Sequence, residues 1–429
     1  MSKTPLEIRV PGDKSISHRA LIFTALANGR SRIRDILLSA DVHSTAGVLR
    51  ALGVAVPPLG NDVTIDGRGA RALMEPSVDL DCGNSGTTTR LMAGVAAGRD
   101  FRTRFIGDAS LSRRPMRRVA KPLTAMGARV ELESGDGLPM VIHGGALRSI
   151  RWTSETASAQ IKSAILLAGV VGGVEVEVTE PSRSRNHTER MLRALGATVD
   201  VDVVPAGTRV RVSLVGELAP LDIVVPADPS SAAFFIALAV LTRSAPIVVP
   251  HVCLNPTRTG FFDALRSMGA DVHLEEGAEQ GGERTGRILG SHSSLRGLTV
   301  GGDQVPSMID ELPLLACVGA RARGETIIAG AEELRVKESD RIATVVSNLR
   351  AIGATAEERP DGLIVEGSEK PLRGRVETRG DHRIAMAFGI LGALPGNEIE
   401  IDDRDCVAVS YPGFWEDLAR ATRTFAAKS

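Results

Sequence analysis

The pentapeptide LRALG occupies residues 49–53 and returns at residues 192–196. Three close variants occur elsewhere in the 429-residue chain, namely LTAMG at 123–127, LRSMG at 265–269 and LRAIG at 349–353. The glycines of neighbouring copies lie 69 to 84 residues apart, and five copies at this spacing indicate an internal repeat. Apolar residues at helical spacing before a glycine predict an amphipathic helix that ends at each of these glycines.

A second series of segments, rich in small and apolar residues, lies between the pentapeptides. These segments begin near Ser15, Ser85, Ser158, Ser230, Asp310 and His382. Each is apolar almost all round, so we predict six buried helices. Alternating stretches such as residues 128–144, ARVELESGDGLPMVIHG, predict two strands joined by a turn after the amphipathic helices.

The predicted repeat is therefore strand, buried helix, strand, amphipathic helix and further strands, in six copies. The sixth copy ends after a helix at residues 412–425 without its hairpin. We expect the opening strand, LEIRV at residues 6–10, to supply a strand to that copy.

Six repeats in a chain of this length predict more than one domain. We expect three copies to form one domain at residues 12–226. The other three, with the N-terminus, would form a second domain at residues 1–11 plus 227–429. The chain would then cross between domains near residues 11–13 and 226–228, which we predict to be hinges.

Composition excludes several classes of protein. A formal net charge of −1 and 3% aromatic residues argue against nucleic-acid binding. The longest apolar run, residues 232–241, is shorter than a membrane span requires. The four cysteines lack metal-binding spacing and suit reduced thiols, and the N-terminus lacks the apolar core of a signal peptide. We therefore expect a cytoplasmic protein.

Cations recur near the starts of the predicted buried helices. They are Lys14, Arg19, Arg90, Arg113, Arg114, Arg185, Lys337, Arg341 and Arg383. The helix dipole disfavours cations at this end, whereas free N–H groups there bind anions. In a nearly neutral chain, the pattern predicts a pocket between the domains for a ligand with several phosphate or carboxylate groups. Phosphate-binding nucleotide motifs are absent from the sequence, so a nucleotide is not indicated.

Seven blocks from residue 12 to residue 388 carry a resemblance to a known family. In order they are GDKSISHRAL, GNSGTTTRLM, RPMRRVAKPLTAMG, SAQIKSAILLAG, SRNHTERML, LRVKESDRI and GDHRIAMAF. The chain resembles the 3-phosphoshikimate 1-carboxyvinyltransferases (5-enolpyruvylshikimate-3-phosphate, or EPSP, synthases), and in particular their class II branch.

The resemblance implies an α/β (α+β) fold of two inside-out α/β-barrel domains, each with three βαβαββ repeats around buried helices. It implies transfer of the enolpyruvyl group of phosphoenolpyruvate to the 5-hydroxyl of shikimate 3-phosphate, through a tetrahedral intermediate and with release of phosphate. This reaction belongs to the shikimate pathway toward chorismate and the aromatic amino acids. The family needs no metal or organic cofactor, is the target of the herbicide glyphosate, and usually consists of monomers.

The resemblance also assigns residues to the two substrates. Those matched to shikimate 3-phosphate are Lys14, Ser15, Arg19, Ser158, Ala159, Gln160, Arg185, Asp310 and Lys337. Those matched to phosphoenolpyruvate are Lys14, Gly86, Arg114, Gln160, Arg341 and Arg383. Asp310, Glu338 and Lys14 are the implied proton carriers. Asp310 would serve as base to the shikimate hydroxyl, and it is equally placed to cap a helix.

Two positions matter for comparison with the family. Many members have a lysine where this chain has Val409. Some glyphosate-tolerant class II members have alanine where this chain has Gly86, so we predict intermediate or ordinary sensitivity.

Two alternative functions remain open at this point. The sister carboxyvinyltransferases that act on UDP-N-acetylglucosamine usually have a cysteine in a mobile loop, but no cysteine lies between Cys82 and Cys253 here. A non-catalytic anion-binding clamp would keep the arginines without needing Asp310 and Glu338.

Mutual repulsion among Lys14, Arg114, Arg341 and Arg383 should hold an empty interdomain cleft open. Two bound anions would relieve this repulsion, so we predict compaction by small-angle X-ray scattering on addition of shikimate 3-phosphate plus glyphosate. An unchanged radius of gyration would contradict this prediction.

Overall fold

The computed structural model describes the backbone of residues 4–426 and the side chains of residues 4–423. The described chain forms two compact units. The first unit comprises Gly12–Val225 together with Glu279–Glu283. The second comprises the described residues through Pro11, then Pro226–Ala278, and the described residues from Arg284 onward. Residues 279–283 thus group with the first unit, although the sequence-based boundaries placed them with 227–429.

The first unit contains three repeats. Its helices are α1 (Lys14–Leu26), α2 (Ala40–Ala51), α3 (Gly86–Ala97), α4 (Ala109–Ser112), α5 (Arg117–Met126), α6 (Ala159–Gly172) and α7 (His187–Ala194). Its strands are β2 (Asn28–Arg34), β3 (Asp62–Arg68), β4 (Leu80–Asp81), β5 (Arg102–Ile106), β6 (Arg129–Leu132), β7 (Met140–His143), β8 (Ile150–Thr153), β9 (Val176–Glu180), β10 (Thr198–Val204), β11 (Gly207–Ser213) and β12 (Asp222–Val224).

The second unit repeats the same order of elements. Its helices are α8 (Pro229–Leu241), α9 (Gly260–Ser267), α10 (Leu312–Gly319), α11 (Arg341–Ala351), α12 (His382–Gly392) and α13 (Phe414–Ala426). Its strands are β1 (Leu6–Glu7), β13 (Ile247–Cys253), β14 (Asp271–Gln280), β15 (Glu283–Ser291), β16 (Thr299–Val300), β17 (Glu325–Ile328), β18 (Thr355–Arg359), β19 (Gly362–Glu366), β20 (Arg373–Val376) and β21 (Glu398–Ile401). Short 3₁₀ turns occupy Ala70–Ala72, Gly302–Ser307, Glu332–Val336 and Asp405–Val409.

Each repeat has its own sheet, in which one parallel pair of strands flanks a buried helix. These pairs are β12–β2, β4–β5, β8–β9, β1–β13, β16–β17 and β20–β21. Antiparallel strands complete the sheets of the first five repeats, as in the order β8-β9-β11-β10. A parallel pair needs a crossover, and the buried helix provides it in the repeats whose strands are consecutive. The predicted α/β class and repeat order are confirmed.

The opening strand corrects one prediction. β1 pairs with β13 of the fourth repeat, not with the sixth repeat, whose sheet consists of β20 and β21. β12, which precedes α8 in the chain, pairs instead with β2 of the first repeat. The strand that precedes α1 thus belongs to the second unit, and the strand that precedes α8 belongs to the first unit.

The amphipathic helices end as predicted. The glycine after each has a positive φ, with values of 87° at Gly53, 116° at Gly127, 96° at Gly196, 93° at Gly269 and 91° at Gly353. A left-handed conformation is readily accessible only to glycine, so these residues end the helices and release the chain toward the next strand.

The six apolar helices are buried, as their composition predicts. In α8, every residue from Pro229 to Val240 is buried. α3 and α6 pack so closely that a Cβ atom at Gly94 would lie 2.1 Å from the carbonyl oxygen of Ala164. Within residues 4–426, no helix combines the length and the apolar composition needed to cross a membrane.

The α3–α6 contact yields a stability prediction. Gly94→Ala should destabilise the protein by about 2 kcal/mol or more, because the new methyl group overlaps the backbone of α6. Gly47→Ala is the control, since Gly47 lies in α2 with open space around it. This variant should gain about 0.5–1 kcal/mol of unfolding free energy, because alanine favours the helix over glycine. Urea unfolding measures both changes, and equal effects would contradict the tight packing.

Candidate active site

Two carboxylates stabilise the start of α1, one by capping the helix and the other by pairing with Lys14. The Asp13 carboxylate caps the helix by accepting a hydrogen bond of 2.8 Å from the backbone N–H of Ile16. The Lys14 Nζ atom lies 2.6 Å from Asp41 Oδ2, and both side chains are largely buried. Lys14 is therefore not a solvated surface charge. Ser15 lies beside it in the first turn of α1.

Arg19 is buried one turn further along α1 and holds three helices together. Its guanidinium donates to Thr188 Oγ1 of α7 at 2.7 Å and to Ser163 Oγ of α6 at 2.9 Å. A third bond of 3.0 Å runs to the carbonyl oxygen of Ser15. Burial lowers the pKa of Arg19 to about 10, against the opposing effect of Glu189. Arg19 therefore remains charged at neutral pH.

His18 begins a chain of hydroxyl groups that connects three helices. Its Nδ1 atom lies 2.7 Å from Thr45 Oγ1, which lies 2.7 Å from Thr88 Oγ1. Thr88 donates to Ser85 Oγ, also at 2.7 Å. Burial lowers the pKa of His18 well below its usual value, and Lys14 and Arg19 act in the same direction. His18 is therefore neutral at physiological pH and adds no third charge here.

The start of α3 lies against two buried arginines. Arg114 donates to Asn84 Oδ1 at 2.6 Å, and Arg90 donates to Gln160 Oε1 at 2.5 Å. A Cβ atom at Gly86 would lie 2.9 Å from Nη1 of Arg90 and 3.4 Å from Nη1 of Arg114. Glycine at residue 86 therefore leaves room beside both guanidinium groups.

The start of α6 carries the predicted Ser158, Ala159 and Gln160. Ser158 is the N-cap, and its hydroxyl accepts from the N–H of Ile161 at 3.5 Å. Ala159 is the first helical residue, so its backbone N–H belongs to the free helix end. Arg185 is half-buried in the turn between β9 and α7.

In the second unit, Arg341 gathers three carboxylates. Its guanidinium donates to Asp381 Oδ2 at 2.9 Å, to Glu338 Oε2 at 2.7 Å and to Asp310 Oδ1 at 3.3 Å. Arg341 and Asp381 are fully buried, whereas about a fifth of the side-chain surface of Asp310 and Glu338 is exposed. Burial alone would lower the pKa of Arg341, but the three carboxylates together raise it above its usual value.

Lys337 and Arg383 complete this second set. Burial lowers the pKa of the Lys337 ammonium against the opposing effect of Asp310, and Arg341 adds to the lowering. Arg383 is buried in the first turn of α12, where its backbone N–H donates to Asp381 at 2.9 Å. Asp381 therefore caps α12 and anchors Arg341 at the same time.

The sequence-predicted site residues fall into two sets. Lys14, Ser15, Arg19, Gly86, Arg114, Ser158, Ala159, Gln160 and Arg185 belong to the first unit. Asp310, Lys337, Glu338, Arg341 and Arg383 belong to the second. Direct hydrogen bonds join Arg341 to Asp310 and Glu338, while Arg19 reaches α6 and α7 through Ser163 and Thr188.

The structure corrects one interpretation and adds three residues. Asp310 does not cap α10, since Glu311 occupies the N-cap position and the helix starts at Leu312. Asp41, Asn84 and Asp381 were not assigned as site residues from the sequence, although they hold Lys14, Arg114 and Arg341. An aspartate just before a predicted helix start could have indicated Asp381.

Loss of the Arg341 charge should be destabilising. Arg341→Met leaves the fully buried Asp381 carboxylate without its main cation, and should cost about 3 kcal/mol of unfolding free energy. Arg335→Met is the control, because Arg335 and its partners Asp340 and Glu358 are partly exposed. This variant should lose about 1 kcal/mol or less of unfolding free energy. Urea unfolding of both variants measures the difference, and equal losses would contradict a buried anchor.

Comparisons with known proteins agree over nearly the whole chain. The family described as EPSP synthase (3-phosphoshikimate 1-carboxyvinyltransferase) matches residues 2–418. A 3-phosphoshikimate 1-carboxyvinyltransferase from Sulfurihydrogenibium sp. (strain YO3AOP1) is 47% identical over 417 residues and covers 97% of each chain. The enzyme of the same name from Bacillus subtilis (strain 168) is 45% identical over 421 residues, with 97% of each chain covered.

Solved structures support the same grouping. An EPSP synthase from Acinetobacter baumannii matches with a TM-score of 0.83 and 41% identity, over 97% of this chain and 96% of the other. The enolpyruvyl transferase NikO from Streptomyces tendae matches with a TM-score of 0.73 over 98% and 95% of the two chains. Its 18% identity shows a shared fold alone.

Proposed function

Because the chain belongs to the EPSP synthase (3-phosphoshikimate 1-carboxyvinyltransferase) family, we propose that its two sets of charged residues jointly carry the reaction of that family. The enzyme transfers the carboxyvinyl group of phosphoenolpyruvate to the 5-hydroxyl of shikimate 3-phosphate and releases phosphate. The observation that best supports the assignment of roles is Arg341, which connects Asp310 and Glu338 at one guanidinium.

We assign shikimate 3-phosphate chiefly to the first unit. A phosphate dianion is suited to a cation, a hydroxyl and free N–H groups at a helix start. Lys14 and Ser15 provide a cation and a hydroxyl on α1, and Ser158 and Ala159 provide a hydroxyl and a backbone N–H on α6. Arg19, Gln160 and Arg185 add donors from the same unit, and Asp310 and Lys337 are assigned from the second.

Phosphoenolpyruvate carries a carboxylate and a phosphate, and guanidinium groups bind both in a bidentate manner. We assign Arg114 and Gln160 of the first unit and Arg341 and Arg383 of the second unit to it, with Lys14 reaching both substrates. Gly86 serves this role by leaving space beside the Arg114 guanidinium.

We assign proton transfer to Asp310, Glu338 and Lys14. The reaction needs a base for the 5-hydroxyl and an acid for the methylene carbon of phosphoenolpyruvate. Arg341 holds the carboxylates of Asp310 and Glu338. An arriving anion would compete for that guanidinium, and each carboxylate so released becomes a better proton acceptor.

The tetrahedral intermediate must then lose a proton from its methyl group together with phosphate, which restores the carbon–carbon double bond. Glu338 and Lys14 are the groups that we assign to this end of the substrate, with Asp310 at the shikimate hydroxyl.

We infer further that the enzyme is a cytoplasmic monomer. Its four cysteines are free thiols, and Cys82, Cys253 and Cys317 are buried. Reduced thiols are typical of a cytosolic protein. Light scattering coupled to gel filtration tests the monomer directly.

Phosphate release from phosphoenolpyruvate tests the function against both alternatives. Wild type should release phosphate with shikimate 3-phosphate and not with UDP-N-acetylglucosamine. Asp310→Asn should lower kcat by about 100-fold or more, since general base catalysis commonly contributes this much. Release with the sugar nucleotide alone would indicate the sister activity, and ligand binding without any release would indicate a non-catalytic clamp.

Gly86→Ala should weaken the binding of phosphoenolpyruvate. A methyl group 2.9 Å from Arg90 Nη1 forces that guanidinium to move and narrows the space at Arg114. We expect KM for phosphoenolpyruvate to rise about tenfold, a loss of about 1.4 kcal/mol, with KM for shikimate 3-phosphate nearly unchanged. Steady-state kinetics measures both constants, and an equal rise in the two would contradict the assignment of Gly86.

A further inference from the structure

A buried ion cluster lies in the first unit among residues that carry no assigned role. Lys162 of α6 places its ammonium 2.7 Å from Glu180 at the end of β9 and 2.8 Å from Glu189 of α7. All three side chains are at most 2% exposed. Buried ion pairs lose much of their attraction to the loss of hydration, so stability alone is a weak reason for such a cluster.

Glu180 fixes the turn that leads into α7. Its carboxylate accepts from the backbone N–H of Ser184 at 3.0 Å and from the Ser184 hydroxyl at 2.6 Å. Arg185, assigned to shikimate 3-phosphate, is the next residue in that turn. The cluster therefore determines where the backbone of Arg185 lies.

The same cluster adjoins the residues that hold Arg19. Ser163 follows Lys162, and Thr188 precedes Glu189, so both hydroxyls sit beside the cluster. These two hydroxyls lie 2.7 Å apart and both accept from Arg19. The Arg19 guanidinium has five N–H groups, and these hydrogen bonds account for three of them.

The charges of the cluster complement Arg19. One ammonium and two carboxylates sum to one negative charge, which offsets the buried guanidinium. Glu189 is the carboxylate with the strongest effect on Arg19, and it opposes the lowering of the Arg19 pKa by burial. An arriving anion thus meets a cation that is already fixed in place and charged.

We propose that the Lys162–Glu180–Glu189 cluster positions Arg19 and Arg185 for shikimate 3-phosphate. The three residues are positioning residues, because they act through the two arginines. The inference rests on the assignment of Arg19 and Arg185 made under the proposed function, and it adds residues to which that assignment gives no role.

The first test substitutes the carboxylate nearest to Arg19. Glu189→Gln keeps the shape of the side chain and leaves Lys162 paired with Glu180. We expect Kd and KM for shikimate 3-phosphate to rise about tenfold, with KM for phosphoenolpyruvate and kcat changed less than about threefold. Glu177→Gln is the matched control on β9, because Glu177 pairs with the partly exposed Arg211 outside the cluster.

A second test uses a milder substitution and applies even if the Glu189→Gln protein does not fold. Ser184→Ala removes only one hydrogen bond to Glu180 and should raise KM for shikimate 3-phosphate about threefold or more. Ser184→Thr keeps the hydroxyl and should restore binding. Ser182→Ala, two residues earlier in the same turn, is the control. Thermal melting of each variant separates a loss of folding from a loss of positioning.

Calorimetric titration with shikimate 3-phosphate alone separates the possible failures. Wild type that does not bind would overturn the proposed function and this inference together. Wild type that binds, with folded Glu189→Gln and Ser184→Ala that bind equally well, would overturn the inference alone. Equal increases in KM for both substrates would also overturn it, since they would show a general structural effect.

Discussion

A buried cation must be held by carboxylates or hydroxyl groups and still keep donors for its ligand. Arg341 meets this requirement with three carboxylates, and Arg19 meets it with two hydroxyls, a backbone carbonyl and the nearby charge of Glu189. Lys14 meets it with Asp41. Because charges are costly to bury without partners, these contacts determine which positive groups can exist away from water.

The repeat places these cations at or near helix starts, where an anion can bind. Five of the buried helices, namely α1, α3, α6, α8 and α12, have starts that are capped by an aspartate or a serine. A capped start still presents free N–H groups. In the first unit the starts of α1, α3 and α6 carry most of the residues assigned to the two substrates. In the second unit Asp381 caps α12 and fixes Arg341, so the same carboxylate both starts a helix and holds a buried cation.

Local patterns in the sequence predicted much of this. The final glycines of LRALG and its variants marked five helix ends, and the apolar segments marked six buried helices, because both signals depend on residues close together in the chain. The pairing of β1 with β13 could not be predicted in this way, since the two strands are more than 200 residues apart in the sequence. Parallel pairing leaves no local signal that identifies the partner strand.

The same distinction applies to the site. Lys14, Arg341 and the other cations could be found from their positions at helix starts and from the family resemblance. Asp41 could not, because it lies on an amphipathic helix where an acidic residue is unremarkable and its contact with Lys14 depends on tertiary packing. The Lys162 cluster was missed for the same reason, since its three members come from α6, β9 and α7.

The most direct test of this account is the affinity of Asp381→Asn for each substrate, measured by calorimetric titration. The account predicts that phosphoenolpyruvate binds about tenfold more weakly or worse, because Arg341 loses its buried anchor, while shikimate 3-phosphate alone binds as in wild type. Unchanged affinity for phosphoenolpyruvate, or an equal loss for both substrates, would contradict the claim that buried carboxylates fix the cations for their ligands.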